Sequence, residues 1–333
     1  MKTFILFLLM IPIVGLSQTH TGAVKGMAFS GDNTKLATIT PSDIKFWDVA
    51  SGKMLNSSSI GGYNIKFYKD NLWLILSTNY TFKIVDGNTG TIVDTLELSA
   101  LPKWNYQAFA LFKGKYLLVK NRSDIILYNL EDRKIEKQTK TYNNEKECIV
   151  AVDEGADLFY IVYKELKLGM ESEQFSLNTF SVTGKYTMGD FPANVVAHDG
   201  RYVAGGSYLI VKDYGDADGQ IHMVGSTFSL PDKLRAYNFP EMKDGDVNDL
   251  CANPLNFDDI YFIGRNNIAY YNLKTKKPNY ERNAPGSHSN QKIAISPNGE
   301  YLAIASIKPP VSTGESMVKI YTTKKLKLHK ELK

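Results

Sequence analysis

A short alternating run, Ile44-Lys45-Phe46-Trp47-Asp48-Val49, drops into the turn Ser51-Gly52-Lys53, and weaker copies of it recur along the chain. The mark is an aromatic or bulky apolar residue closing an alternating stretch, followed by a small or polar residue and a polar turn. It stands at Trp47, Val85, Tyr128, Phe180, Tyr237, Tyr271 and Tyr321. A repeat of this kind means supersecondary units that bury their apolar faces only against one another.

Two strand-like runs precede each mark and one follows it. In the first unit Val24 begins a run closed by the turn Ser30-Gly31-Asp32-Asn33, and Leu36-Ala37-Thr38 begins the next. In the last unit the turn is Ser296-Pro297-Asn298-Gly299, followed by Tyr301-Leu302-Ala303. Seven such units share the chain at about 45 residues each, against the ~40–45 that four short antiparallel strands and their turns need. The 20 Tyr and 16 Phe, with no helical spacing of apolar residues beyond the first segment, fit an all-β chain. Radial arrangement leaves small sheets only short, protected edges. The expectation is therefore a seven-bladed β-propeller of four-stranded antiparallel blades over residues 18–333, with the tail around Leu326-Lys327-Leu328 as the last outer strand, its leucines turned inward.

The first residues read differently. Lys2 precedes an apolar run over residues 4–14, and Gly15-Leu16-Ser17 supplies small residues for cleavage, so residues 1–17 read as a secretory signal peptide. The run is too short to span ~30 Å of hydrocarbon. The expected location is exported, periplasmic or extracellular, with no transmembrane segment. A net charge of +4 argues against nucleic acid as a partner. Cys148 and Cys251 fall on non-adjacent units, so two separate buried thiols are expected.

His20-Thr21-Gly22-Ala23-Val24, Leu36-Ala37-Thr38 and Phe46-Trp47-Asp48 before Ser51-Gly52-Lys53 resemble one repeat of the WD-repeat β-propeller family. The last unit keeps Ile295-Ser296-Pro297-Asn298-Gly299 and the middle units keep mainly the pattern. The resemblance implies a structural hydrogen-bonded tetrad of His20, Thr38 or Thr40, Asp43 and Trp47.

Extra chain falls at residues 164–174, 212–225 and 307–316, read as loops between the second and third strands of units four, five and seven. Connections after the second and fourth strands share one face of such a disc, and insertions gathered on one face mark a binding face. Partner-binding candidates there are Tyr163, Met170, Phe175, Tyr208, Tyr214, His222, Met223, Pro309 and Pro310, because aromatic and Met side chains dominate interface cores. Asp213, Asp216 and Asp218 before Gly219 alternate as calcium ligands do, although no Glu closes the loop. Otherwise no cofactor is implied.

The five histidines are scattered, and no nucleophile elbow or phosphate loop is present. The leading expectation is a non-catalytic scaffold binding a protein or glycan partner, as a monomer or as a subunit of an envelope assembly. The alternative is a propeller hydrolase or oxidoreductase with a metal-dependent site at the central channel mouth. Sequons at Asn56, Asn79 and Asn121 matter only in a host that glycosylates secreted chains.

Overall fold

A computed structural model describes residues 20–96, 108–142, 148–153, 157–163, 170–188, 195–198, 202–205, 208–212, 220–223, 226–229, 234–238, 248–264, 267–272, 275, 277–282, 289–307 and 314–332. It is an all-β propeller with six four-stranded antiparallel blades, each a simple meander whose first strand is innermost. The first blade comprises Gly26–Phe29, Lys35–Ile39, Ile44–Asp48 and Met54–Ser58, and the second Gly62–Lys69, Leu72–Ser77, Phe82–Asp86 and Ile92–Leu96. The third comprises Ala108–Phe112, Tyr116–Asn121, Asp124–Asn129 and Lys134–Lys140, and the fourth Cys148–Asp153, Leu158–Tyr163, Met170–Ser176 and Val182–Met188. The penultimate blade runs through Asp249–Asn253, Asn256–Ile263, Asn267–Asn272 and Lys277–Arg282, and the last through Ser289–Ile295, Tyr301–Ile307, Ser316–Thr322 and Lys327–Glu331.

Between the fourth and penultimate blades, Val195–His198, Tyr202–Gly205, Tyr208–Lys212 and Leu234–Asn238 pair in a further antiparallel sheet. A hairpin of Gln220–Met223 and Ser226–Ser229 interrupts it. Here the structure corrects the reading of unit five. Only residues 206–207 separate the second and third strands, and the long insertion lies between the third and outer strands, on the opposite face of the disc from that expected.

Burial follows strand position. The second strand of the first blade is buried on both sides from Leu36 to Ile39, whereas the outer strand Lys134–Lys140 alternates exposed and half-buried residues. The core is a series of clusters between neighbouring blades. Ile39, Ile44 and Phe46 meet Ile65, Trp73 and Val85, and Leu118 and Ile125 meet Val150, Phe159 and Phe175. At about 25 cal/mol per Å² of apolar surface, this inter-blade burial is the main adhesive of the ring. Bulk is exchanged across strand pairs: Trp47 lies opposite Leu36 in the first blade, and Trp73 opposite Val85 in the second.

In the fourth blade the mark sits earlier than the sequence reading placed it. Phe175 stacks on Phe159 across the strand pair with centroids 4.7 Å apart, and Leu177 N–H bonds Asp157 O as Val49 N–H bonds Thr34 O. Phe180 lies in the following turn at a left-handed φ of 55°.

On the face opposite the expected binding loops, polar contacts join successive blades. Lys35 Nζ donates to Asn71 Oδ1 at 2.7 Å, Lys137 Nζ to Asn178 O at 2.7 Å, and Asn298 N–H to Asn33 Oδ1 at 2.9 Å.

The last blade takes all four strands from residues 289–331, as expected. The N-terminal side adds one isolated bridge, His20 to Ser316, beyond the end of the outer strand. The tail differs in its facing: Leu326 and Leu332 are buried but Leu328 is 47% exposed. A register shift opposite Ile320 and Tyr321 breaks the alternation that would have turned it inward. Cys148 and Cys251 are thiols on different blades, but only Cys251 is buried as expected, Cys148 being half-buried. Burial pushes the Cys148 thiol up to about 11, against the neighbouring Lys120 ammonium, so it stays protonated.

Candidate functional site

The face carrying the connections after the second and outer strands is built on buried polar brackets. In the first blade His20 Nδ1 lies 2.9 Å from Asp43 Oδ1, and His20 Nε2 lies 2.6 Å from Thr38 Oγ1. Trp47 Nε1 donates to the same Thr38 oxygen at 2.8 Å. The Thr38 hydroxyl thus links the His20 ring to the Trp47 indole, and Asp43 holds the other ring nitrogen. Thr40 also donates to Asp43. Burial raises the Asp43 pKa, but the His20 and Thr40 hydrogen bonds and the Lys45 charge outweigh it and hold the carboxyl below its ordinary value. The structure thus brings His20, Thr38, Asp43 and Trp47 together, and the turn between the second and third strands rests on them.

The fourth blade solves the same problem with other residues. Tyr163 OH donates to Glu173 Oε2 at 2.6 Å, and the Thr141 hydroxyl reaches both groups. Glu173 is 1% exposed, with Lys185 Nζ 3.9 Å from its other oxygen. Burial, with the Glu173 hydrogen bond next, drives the Tyr163 phenol far above its usual pKa. Lys120 reaches over the Tyr163 ring, 5.2 Å from its centroid.

Aromatic side chains lie on the same face. Tyr63 and Tyr80 stack with centroids 5.5 Å apart and planes 26° from parallel. A bulge between Gly62 and Asn64 throws Tyr63 out of the inner strand, leaving it 39% exposed. Tyr80 sits at φ 58° in a turn closed by Tyr80 N–H to Ser77 O, with Asn79 Oδ1 accepting from the Ser77 and Thr81 hydroxyls. Tyr142 is 53% exposed, and the Lys185 ammonium lies 3.7 Å from its ring centroid. Tyr163 meets it edge-on from below. Gly61 makes room nearby, since a Cβ there would stand 1.7 Å from Pro41 O.

The partner-binding residues read from the sequence are placed differently. Tyr163 and Phe175 are fully buried, so they pack and bracket the fourth blade and present no surface. The backbone sets Met170 at the start of Met170–Ser176, Tyr208 at the start of Tyr208–Lys212, and His222 and Met223 on Gln220–Met223. Tyr214, Pro309, Pro310, Asp213, Asp216 and Asp218 lie outside the described residues, as does the segment 1–17. Among the described residues no group of three or more His, Cys, Asp or Glu side chains is arranged to hold a metal, and no helix is long and apolar enough to cross a membrane. The Asn121 side chain is buried, whereas Asn79 is exposed in its turn.

Sequence reasoning missed Tyr63, Tyr80 and Tyr142. The available signals were Gly61-Gly62 before Tyr63, which marks a break in the strand, and the polar turn Ser77 to Thr81 around Tyr80.

No protein-family model matches this chain, and no curated protein matches it in sequence. Among solved structures, the Pan2 WD40 domain of Neurospora crassa aligns with a TM-score of 0.59 at 11% identity, covering 90% of this chain and 89% of that one. At that identity the likeness is one of fold: the chain is a β-propeller structurally similar to a WD40 domain.

Proposed function

We propose that this chain is a non-catalytic binding scaffold that captures a protein or glycan partner on the face bearing Tyr63, Tyr80 and Tyr142. The observation that carries the reading is the stacked Tyr63–Tyr80 pair, exposed at its edge and fixed by a bulge on one side and a hydrogen-bonded turn on the other. Rigid aromatic surface gives contact area at small entropic cost, which is why Tyr is enriched in interface hot spots. The ring proposed is seven-bladed, with the sheet of residues 195–238 as its fifth blade. Support comes from the inner strand Val195–His198, which neighbours both Cys148–Asp153 and Asp249–Asn253. Residues 1–17 are proposed to direct export before removal, on their charge and apolar pattern.

The test compares wild type with Tyr63→Ala/Tyr80→Ala in two assays, glycan-array binding and crosslinking mass spectrometry on the native protein. Loss of one ligand class in the variant, with an unchanged melting temperature, supports the reading and names the class. Equal capture by both proteins refutes it.

A further inference from the structure

The axis of the ring holds charges that neither the packing nor the tyrosine face uses. Lys66 stands on the inner strand Gly62–Lys69, Asp249 opens Asp249–Asn253, and Lys292 lies on Ser289–Ile295. Asp249 Oδ2 accepts the Ile293 N–H at 3.1 Å and lies 3.8 Å from Lys292 Nζ, so this carboxylate is fixed. Lys66 approaches from another side of the ring and interacts with both charges through space. It makes no hydrogen bond or ion pair among the described residues. Its side chain touches solvent although chain surrounds it, the situation of a group in a water-filled channel and not of one in a packed core. The inner strands Gly26–Phe29 and Ala108–Phe112 bring no charged residue to the axis.

Among the described side chains, two ammonium groups thus face one carboxylate at this level of the ring, and low-dielectric walls focus the field of that local surplus of positive charge. Desolvation by the surrounding chain holds the Lys66 pKa below its ordinary value, with Asp249 acting against the shift and Lys292 adding to it. An oxyanion between the two lysines balances the surplus positive charge.

We propose that the central channel binds one oxyanion group, a carboxylate or a phosphate, between Lys66 and Lys292, with Asp249 orienting Lys292. This site stands apart from the tyrosine face and does not depend on it.

The experiment is calorimetric titration of the full chain with inorganic phosphate and, separately, with acetate. The expected result is saturable binding of at least one, and the one that binds identifies the group. Lys66→Gln weakens it about tenfold or more, as loss of a charge-assisted contact does, and Asp249→Asn strengthens it. Absence of saturable binding by either anion, or equal affinity in Lys66→Gln, overturns the proposal. So does loss of binding in Tyr63→Ala/Tyr80→Ala, which would put the anion on the other site. Should circular dichroism show Lys66→Gln unfolded, Asp249→Asn decides alone, and an unchanged affinity there overturns the site.

Discussion

The backbone carbonyl of His20 accepts the N–H of Ser316 at 3.1 Å, while the His20 ring is held by Asp43 and Thr38 of the first blade. One residue therefore fastens the last blade to the first. His20→Ala should cost about 1.5–3 kcal/mol, the range for hydrogen bonds to charged groups. Urea denaturation measures the loss, and hydrogen exchange at Ser316 should accelerate more than exchange in the third blade.

Acid should loosen the same corner. The Asp43 pKa is depressed in the fold, so the unfolded chain binds the proton more readily and stability rises with pH through that range. The contribution is complete above the unfolded value of about 3.9 and is lost as pH falls through the lower folded value. Asp32 and Asp48 shift in the same direction, chiefly through hydrogen bonds from Ser30 and Ser51. Asp43→Asn should flatten the dependence of unfolding free energy on pH below about 4.

The fourth-blade bracket predicts a different sensitivity. Tyr163→Phe keeps the ring that packs between blades but removes the donor to Glu173, leaving a buried carboxylate oxygen with one partner fewer. The expected loss is about 1–3 kcal/mol with the fold retained, measured by denaturant titration and near-ultraviolet circular dichroism.

Gly61→Ala tests a close approach of backbone to backbone. The added methyl would overlap the Pro41 carbonyl, which belongs to the turn above the Asp43 bracket. The link into the second blade must shift, and the expected cost is at least the ~1–3 kcal/mol of an overpacked site. The shift should also move Tyr63, two residues on, so Tyr63 fluorescence and partner capture should change together.

The period was legible because it is written in the paired bulk of second and third strands: Trp47 against Leu36, Trp73 against Val85, Phe159 against Phe175. It slipped in the fourth unit because Phe180 read as the closing aromatic, whereas Phe175 is the residue that pairs opposite Phe159. In the fifth unit Tyr237 read as a third-strand residue although it pairs as an outer one, which moved the insertion to the wrong face. The site was less legible. Whether a tyrosine beside a loop faces inward or outward depends on a bulge at Tyr63, a left-handed turn at Tyr80 and a buried acceptor, Glu173, for Tyr163. Composition carries none of these.

The bridge at Ser316 has a further consequence for how the chain is threaded. Two residues along the same strand, Leu332 N–H bonds Val318 O at 3.0 Å, so the first and last described residues lie side by side on one edge. A short linker could join them, and new ends could be cut at Gly114, where no atom approaches an added Cβ. The ring would then begin in its third blade with the same neighbours throughout, a circular permutant of one unchanged molecule.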